Sequence, residues 1–279
     1  MRSDGQSASI GFRMTRPLII DAFPLNNELD ILEMRLTELQ EAVDRFVIVE
    51  AVVDHQDHPK PLHYQENKER FAQWADKIVH VVATALPTHA ENADPWAREH
   101  AQREWIGAGL TQIGVEPHDI VIQSDVDEIP RALHARNVRP GGGMVVFGQR
   151  LHCFAVDWLH PDVWYGPVAA TCDTLLSLPA GKRFAYQRDN RLRANCPPHM
   201  QDAGWHFSWL GGRDASLAKL NSFCHPEIAE RTETWLQDET FWREGYHVDG
   251  KKQTPVEVDE SWPLWIREGH APQAWFRPR

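Results

Sequence analysis

A chain of 279 residues, 42% of them apolar, can bury a full core, and its length suits one large domain or two small ones, of which we expect one. The formal charge of -11 disfavours nucleic acid as a partner, although Arg183, Arg188, Arg191 and Arg193 lie close enough in sequence for a local basic groove. No apolar run is long enough to span a bilayer, and the polar start from Met1 to Arg13 lacks a signal-peptide core, so 1–16 reads as a disordered tail with Met14 as an alternative beginning. The four cysteines, Cys153, Cys172, Cys196 and Cys224, show no Cys-x-x-Cys spacing; neither a disulfide framework nor a zinc site is indicated, and a reducing cytoplasm is the expected compartment.

The run from Leu18 to Phe23 predicts a first strand, and Pro24-Leu-Asn-Asn27 a turn that offers Asn27 as a helix cap. Leu29, Leu32, Leu36, Leu39 and Val43 recur at helical spacing, with Glu33, Arg35, Glu38 and Gln40 assigned to the wet side. Phe46–Val53 is apolar on both faces, as a central parallel strand should be, and Glu50 is its one charged interruption. Ile78–Ala83 gives a third strand and Trp96–Leu110 a helix carrying Arg98 and Arg103. Glu50 and Arg103 are candidate donor-binding residues. The order strand, helix, strand, strand, helix, strand predicts an α/β fold with a Rossmann-like, mostly parallel sheet and helices on both faces.

The run Asp119-Ile-Val-Ile-Gln-Ser-Asp-Val-Asp-Glu-Ile-Pro130 carries the chemistry: an apolar strand ends in Asp125, Asp127 and Glu128 before a proline suited to open a helix over Arg131–Asn137. On an extended chain Asp125 and Asp127 face one cation together, while Glu128 points elsewhere and is a catalytic candidate of its own. Hard carboxylate oxygens suit Mg2+ or Mn2+, which keep positions open for substrate phosphates. No Gly-x-Gly-x-x-Gly opens the sheet, so metal and basic side chains must handle a diphosphate. The bland alternative is a solvated acidic turn.

Past the Gly141–Gly143 turn, Met144–Phe154 reads as a long strand, and nine of the 12 tryptophans lie beyond Gly143, mostly core, with about two expected at a ligand. Gly204–Gly212 reads as a strand and glycine turn, and Asp214–Phe223 as a short helix bearing Lys219. Either His206 or His225 could complete an Asp, Asp, His metal shell, and Asp202, just before the strand, is a candidate general base whose alternative is a turn-forming residue. Arg193 and Lys219 are candidate diphosphate partners. Residues beyond Lys251 read as an irregular strap over the fold.

Asn26-Asn-Glu-Leu-Asp-Ile-Leu32, Val43-Asp-Arg-Phe-Val-Ile-Val-Glu50, Lys60-Pro-Leu62, Ser124-Asp-Val-Asp-Glu-Ile-Pro130, Gly204-Trp-His-Phe-Ser208 and Lys219-Leu-Asn-Ser-Phe-Cys-His-Pro-Glu227 stand in an order that resembles glycosyltransferase family 17. The resemblance implies a GT-A type fold with a smaller acceptor-side subregion, a UDP-sugar donor whose sugar is N-acetylglucosamine by family, a carbohydrate or other hydroxyl acceptor, and inversion at the anomeric carbon. It also implies that Asp127 touches the metal most directly, with Asp125 on metal-bound water or ribose. The expected layout is 17–140 as nucleotide-sugar half, 141–250 as acceptor half and 251–279 as strap. The rival readings are a metal-dependent phosphohydrolase and a non-catalytic sugar-binding protein.

Overall fold

The computed structural model describes residues 16–141, 143–185, 199–212, 215–217, 219 and 243–277. Arg193, His225, the tail through residue 15 and most of the helix expected over Asp214–Phe223 lie outside the described residues.

Strand β1 (Ile19–Leu25), helix α1 (Leu29–Leu39), β2 (Arg45–Ala51) and β3 (Ile78–Ala83) build one flank of a sheet, and β4 (Ile120–Gln123) lies on the other side of β1. These four strands are parallel in the order β3-β2-β1-β4. The chain therefore reverses direction across the sheet between β1 and β4, and the crevice at the carboxyl ends of those strands is where such sheets bind ligands.

Two-residue alternation sorts the side chains. Ile19, Phe23, Phe46 and Ile48 share a core with Leu32, Leu36 and Leu39 of α1, while Ile20, Ala22, Val47 and Val49 share another with Ile106 and Leu110. Each fully buried leucine of α1 contributes about 1.5–3 kcal/mol. The second layer comes from α3 (Pro95–Glu104) and α4 (Ile106–Ile113); Asp94 caps α3 by accepting from the Trp96 amide. Two short helical pieces, α2 (His63–Glu66) and a 3-10 turn over Lys68–Trp74, connect β2 to β3.

Beyond β4 come β5 (Glu128–Pro130), α5 (Ala132–Asn137), β6 (Met144–Cys153) and β7 (Trp158–Thr171). After α6 (Cys172–Leu176) and the two-residue β8 (His199–Met200) comes β9 (Gly204–Ser208). β7 runs antiparallel to β4 and β6; β9 is parallel to β6 and antiparallel to β5. The class is α/β as expected: a Rossmann-like parallel half with helices on both faces, then a smaller mixed subregion.

Local readings differ in instructive ways. Asn27 does not cap α1; instead the Glu28 carboxylate accepts from the Asn26 and Asn27 amides. The helix expected over Trp96–Leu110 is two helices that meet at Trp105. Pro130 ends β5 rather than opening a helix, and Asp125 and Asp127 lie in the turn between β4 and β5, not on an extended strand. Arg35, assigned to the wet side, is fully buried. β7, which supplies much of the second half, had no counterpart in the sequence reading. The segment beyond Lys251 packs firmly: Thr254–Pro255 adds strand β10 to β7, and Trp262, Trp265, Ile266 and Trp275 join the core under α1.

Candidate active site

Asp21 interrupts the apolar β1, and a charge at that depth requires a partner. It faces α1, where Arg35 meets it through two bonds, Nε to Oδ2 at 2.7 Å and Nη2 to Oδ1 at 2.6 Å, with both side chains fully buried. The remaining donors of Arg35 hold the carboxylate turn: Nη1 reaches the carbonyls of Asp125 (2.8 Å), Val126 (3.1 Å) and Glu128 (2.9 Å), and Nη2 the Ser124 hydroxyl (2.6 Å). A rigid guanidinium fork thus fixes the backbone of the acidic turn to the switch point of the sheet.

Asp125 is 39% exposed at its side chain, and its Oδ1 accepts from Nη2 of buried Arg103 at 2.6 Å. Arg103 also bonds Glu99 one helical turn earlier and the Ser124 carbonyl, so its donors are turned inward. Asp127 is 8% exposed; Lys219 Nζ stands 3.0 Å from its Oδ2 and His206 Nε2 3.5 Å from its Oδ1. Burial opposes the charged form of Asp127, but the Lys219 ammonium and then His206 outweigh it and hold the carboxyl well below the usual range. Burial likewise opposes the charge on Lys219, which Asp127 and then Glu28 hold above the usual lysine range.

Glu128 is sealed from solvent. Its Oε2 accepts from the Asp125 amide at 2.9 Å and its Oε1 from the Trp164 indole at 2.6 Å, and Trp164 in turn lies against the His206 ring, 4.6 Å between centroids. Gly166 on β7 makes room for this pair, since a Cβ there would stand 2.7 Å from both the Glu128 carboxyl carbon and the Trp164 Nε1.

The structure thus brings Asp125, Asp127, Glu128, Arg103, His206 and Lys219 together. Glu50, at the carboxyl end of β2 opposite Leu25, is engaged with its own neighbours: its oxygens accept from the Tyr64 and Gln65 amides, and His80 Nε2 lies 2.8 Å away. Asp202 is apart. It occupies a left-handed turn at φ 48° before β9, with Arg131 Nη2 3.0 Å and Arg150 Nε 2.8 Å from its Oδ1. Antiparallel pairing sets Pro130 against Gly204 and Glu128 against His206, so Asp202, in the turn before β9, lies beyond the Gly204 end of the β5–β9 ribbon.

Sequence reasoning missed Arg35, Asp21, Glu99 and Trp164. Two signals were present: a charge inside the β1 apolar run, and the placement of Arg35 four residues from both Ile31 and Leu39, on the same stripe as those core side chains.

Asp125 and Asp127 offer carboxylate oxygens and His206 Nε2 lies 3.5 Å from Asp127, donor types that suit a divalent cation, but one ligand atom of each does not fall within 4.8 Å of the others in this arrangement.

Beta-1,4-mannosyl-glycoprotein 4-beta-N-acetylglucosaminyltransferase of Rattus norvegicus is 26% identical over 232 residues, covering 73% of this chain and 42% of that protein. The Homo sapiens protein of the same name is also 26% identical, with 73% and 43% covered. The chain thus spans less than half the length of these curated relatives. Among solved structures, a 4-diphosphocytidyl-2C-methyl-D-erythritol synthase superposes with a TM-score of 0.40 at 12% identity, covering 67% of this chain and 90% of that one. Glucosyl-3-phosphoglycerate synthase from Mycobacterium tuberculosis, solved with Mn2+, UDP-glucose and phosphoglyceric acid, gives 0.39 at 14% identity, covering 90% and 91%. The family model for glycosyltransferase family 17 matches residues 9–241, most of the sequence, and the chain belongs to that family.

Proposed function

We propose that this chain is a metal-dependent, inverting glycosyltransferase that moves a sugar, N-acetylglucosamine by analogy with its relatives, from a UDP-sugar to a hydroxyl of a glycan or other acceptor. The observation that carries this reading is Asp127: a buried carboxylate kept ionised at the carboxyl end of the parallel sheet, beside a partly exposed Asp125. Asp125, Asp127 and His206 would hold Mn2+ or Mg2+, with His225 the alternative nitrogen donor. Such a cation, when bound, neutralises charge developing on a leaving diphosphate.

The chain's own groups divide the remaining work. Lys219 places a positive charge beside Asp127 and is proposed, with Arg193 as its companion, to meet a diphosphate oxygen. Arg103 acts by orienting Asp125, because its donors are committed to Glu99, Asp125 and the Ser124 carbonyl. Glu128 holds the Asp125 amide and Trp164, and Glu50 orders the Tyr64 segment and His80. Neither candidate for the base that takes the acceptor's proton sits freely in the cluster: Glu128 is sealed, and Asp202, 54% exposed, stands in the turn before β9 paired with Arg131 and Arg150; of the two, exposure favours Asp202. Asp202→Asn tests this: lost turnover with unchanged donor binding supports the role, and unchanged turnover removes it.

Residues 17–140 are proposed as the donor half, 141–250 as the acceptor half and 251–279 as the strap, in keeping with the change from parallel to mixed pairing. Among the described residues no helix is long and apolar enough to cross a membrane. A cytoplasmic site of action is proposed, in keeping with the buried free thiols Cys153 and Cys172.

The test is UDP release from UDP-N-acetylglucosamine with Mn2+ and a panel of glycan acceptors. Release that depends on an acceptor and falls about 100-fold or more in Asp127→Asn is expected; equal release by wild type and variant would overturn the reading.

A further inference from the structure

Away from the carboxylate turn, three metal-ligating side chains converge on the outer end of β7. His160 stands on that strand and is 4% exposed; His247 and Asp249 lie in the small turn closed by the Tyr246–Lys252 bridge. His160 Nε2 is 3.3 Å from Asp249 Oδ2, and His247 Nδ1 is 3.0 Å from Asp249 Oδ1. One ligand atom of each lies within 4.8 Å of the others, the sole such trio among the described residues.

A tetrahedral shell with bonds of about 2.0–2.1 Å has ligand-to-ligand edges of about 3.3 Å; the two measured separations run to different oxygens of Asp249, so a small turn of that carboxylate is needed to present one oxygen to both rings. The buried His160 Nε2 makes no hydrogen bond despite its nearness to Asp249, so its surroundings leave a polar atom unsatisfied. The Asp162 amide donates to His160 Nδ1 at 3.1 Å, which fixes the ring and turns Nε2 toward Asp249. Lys251 Nζ, 3.9 Å from Asp249 and paired with Asp162, is 48% exposed.

We propose that His160, His247 and Asp249 form a Zn2+ site, separate from Asp125 and Asp127, that clasps β7 to the segment leading into the C-terminal strap. Two imidazoles and one carboxylate are a donor set for Zn2+ rather than for Mg2+ or Ca2+, which take oxygen ligands. Three protein ligands leave the fourth position to water. In the metal-free chain the Asp162 amide occupies the Nδ1 lone pair, so Nε2 carries the proton; uptake at Nε2 moves the ring proton to Nδ1 and gives up the Asp162 amide bond, with no net proton released by this ring.

The test uses the full chain, stripped with EDTA and titrated with Co2+ as a spectroscopic stand-in, then with Zn2+ while thermal unfolding is followed. Wild type should take up one tetrahedral Co2+, read from its visible bands and counted apart from any Co2+ held at Asp125 and Asp127, and Zn2+ should raise its Tm by several degrees. Asp249→Asn and His247→Gln should lose both effects, whereas Asp127→Asn should keep them. Should His247→Gln fail to fold, Asp249→Asn carries the comparison, since Asp249 is partly exposed. Absence of tetrahedral bands in wild type, bands unaltered by Asp249→Asn, or bands lost in Asp127→Asn would each overturn the proposal.

Discussion

Arg35 and Asp125 are joined through the backbone: the guanidinium Nη1 donates to the Asp125 carbonyl at 2.8 Å, while the opposite edge of the same guanidinium is locked onto Asp21. The acidic turn is therefore held from beneath by a buried ion pair. Its side chains are left to face outward or to meet Lys219 and His206.

Removing one member of that pair strands a buried charge, so Arg35→Ala should cost about 3–5 kcal/mol of stability. Arg35→Lys should recover only part of this, because an ammonium cannot reproduce the fork. Urea unfolding of both variants checks the order; equal stability of Arg35→Ala and wild type would show that the pair does not hold the turn.

Asp127 has its carboxyl held below the ordinary range in the fold, so the unfolded chain binds the proton more readily. That difference stabilises the fold above the unfolded carboxylate value of about 3.9 and is lost as pH falls through the lower folded value. Asp127→Asn should thus lose about 1–3 kcal/mol near neutral pH, partly by removing its ion pair with Lys219. The gap from wild type should narrow below about pH 4. A gap that stays constant into acid would contradict the assignment.

His152 is pushed down to about 3, first by burial and then by the charge of Arg150. Between that value and the usual histidine value near 6.5 the unfolded chain carries the extra proton, so stability falls as pH drops through this window, at most about 1.4 kcal/mol per unit. His152→Asn should flatten the slope there while lowering stability at neutral pH, since the ring packs against Phe207 and Trp262. Denaturant unfolding at several pH values reads both effects.

Gly166→Ala places a methyl 2.7 Å from the Glu128 carboxyl carbon and the Trp164 indole nitrogen, so one of them must move. The substitution should cost about 1–3 kcal/mol and shift tryptophan fluorescence as the indole loses its bond to Glu128. An unchanged spectrum and stability would show that this contact is slack.

Much of the parallel half was legible in the sequence, because its strands are apolar runs between helical stripes and tertiary packing agrees with that pattern. β3 matches its expected span, and β1, α1 and β2 differ from theirs by a few residues at the ends. The carboxylates of 125–128 were recognisable by composition, but their conformation was not: a turn, fixed by Arg35 from ninety residues away, replaces the extended geometry assumed for them. Arg35 was misplaced because a charge on a helix is ordinarily solvated, and only a buried acid across the interface reverses that preference. β7 carries Asp162, Gly166 and Pro161 within its span, so neither an apolar run nor a clean alternation announces it; its pairing with both β4 and β6 defines it instead.

The central claim is that Asp127 anchors a nucleotide-sugar site, and calorimetric titration of the full chain with UDP-N-acetylglucosamine, with and without Mn2+, addresses it most directly. Mn2+-dependent binding that weakens at least about tenfold, or 1.4 kcal/mol, in a folded Asp127→Asn variant is the predicted result. Equal affinity in wild type and variant, or no binding to the wild type under either condition, would contradict it.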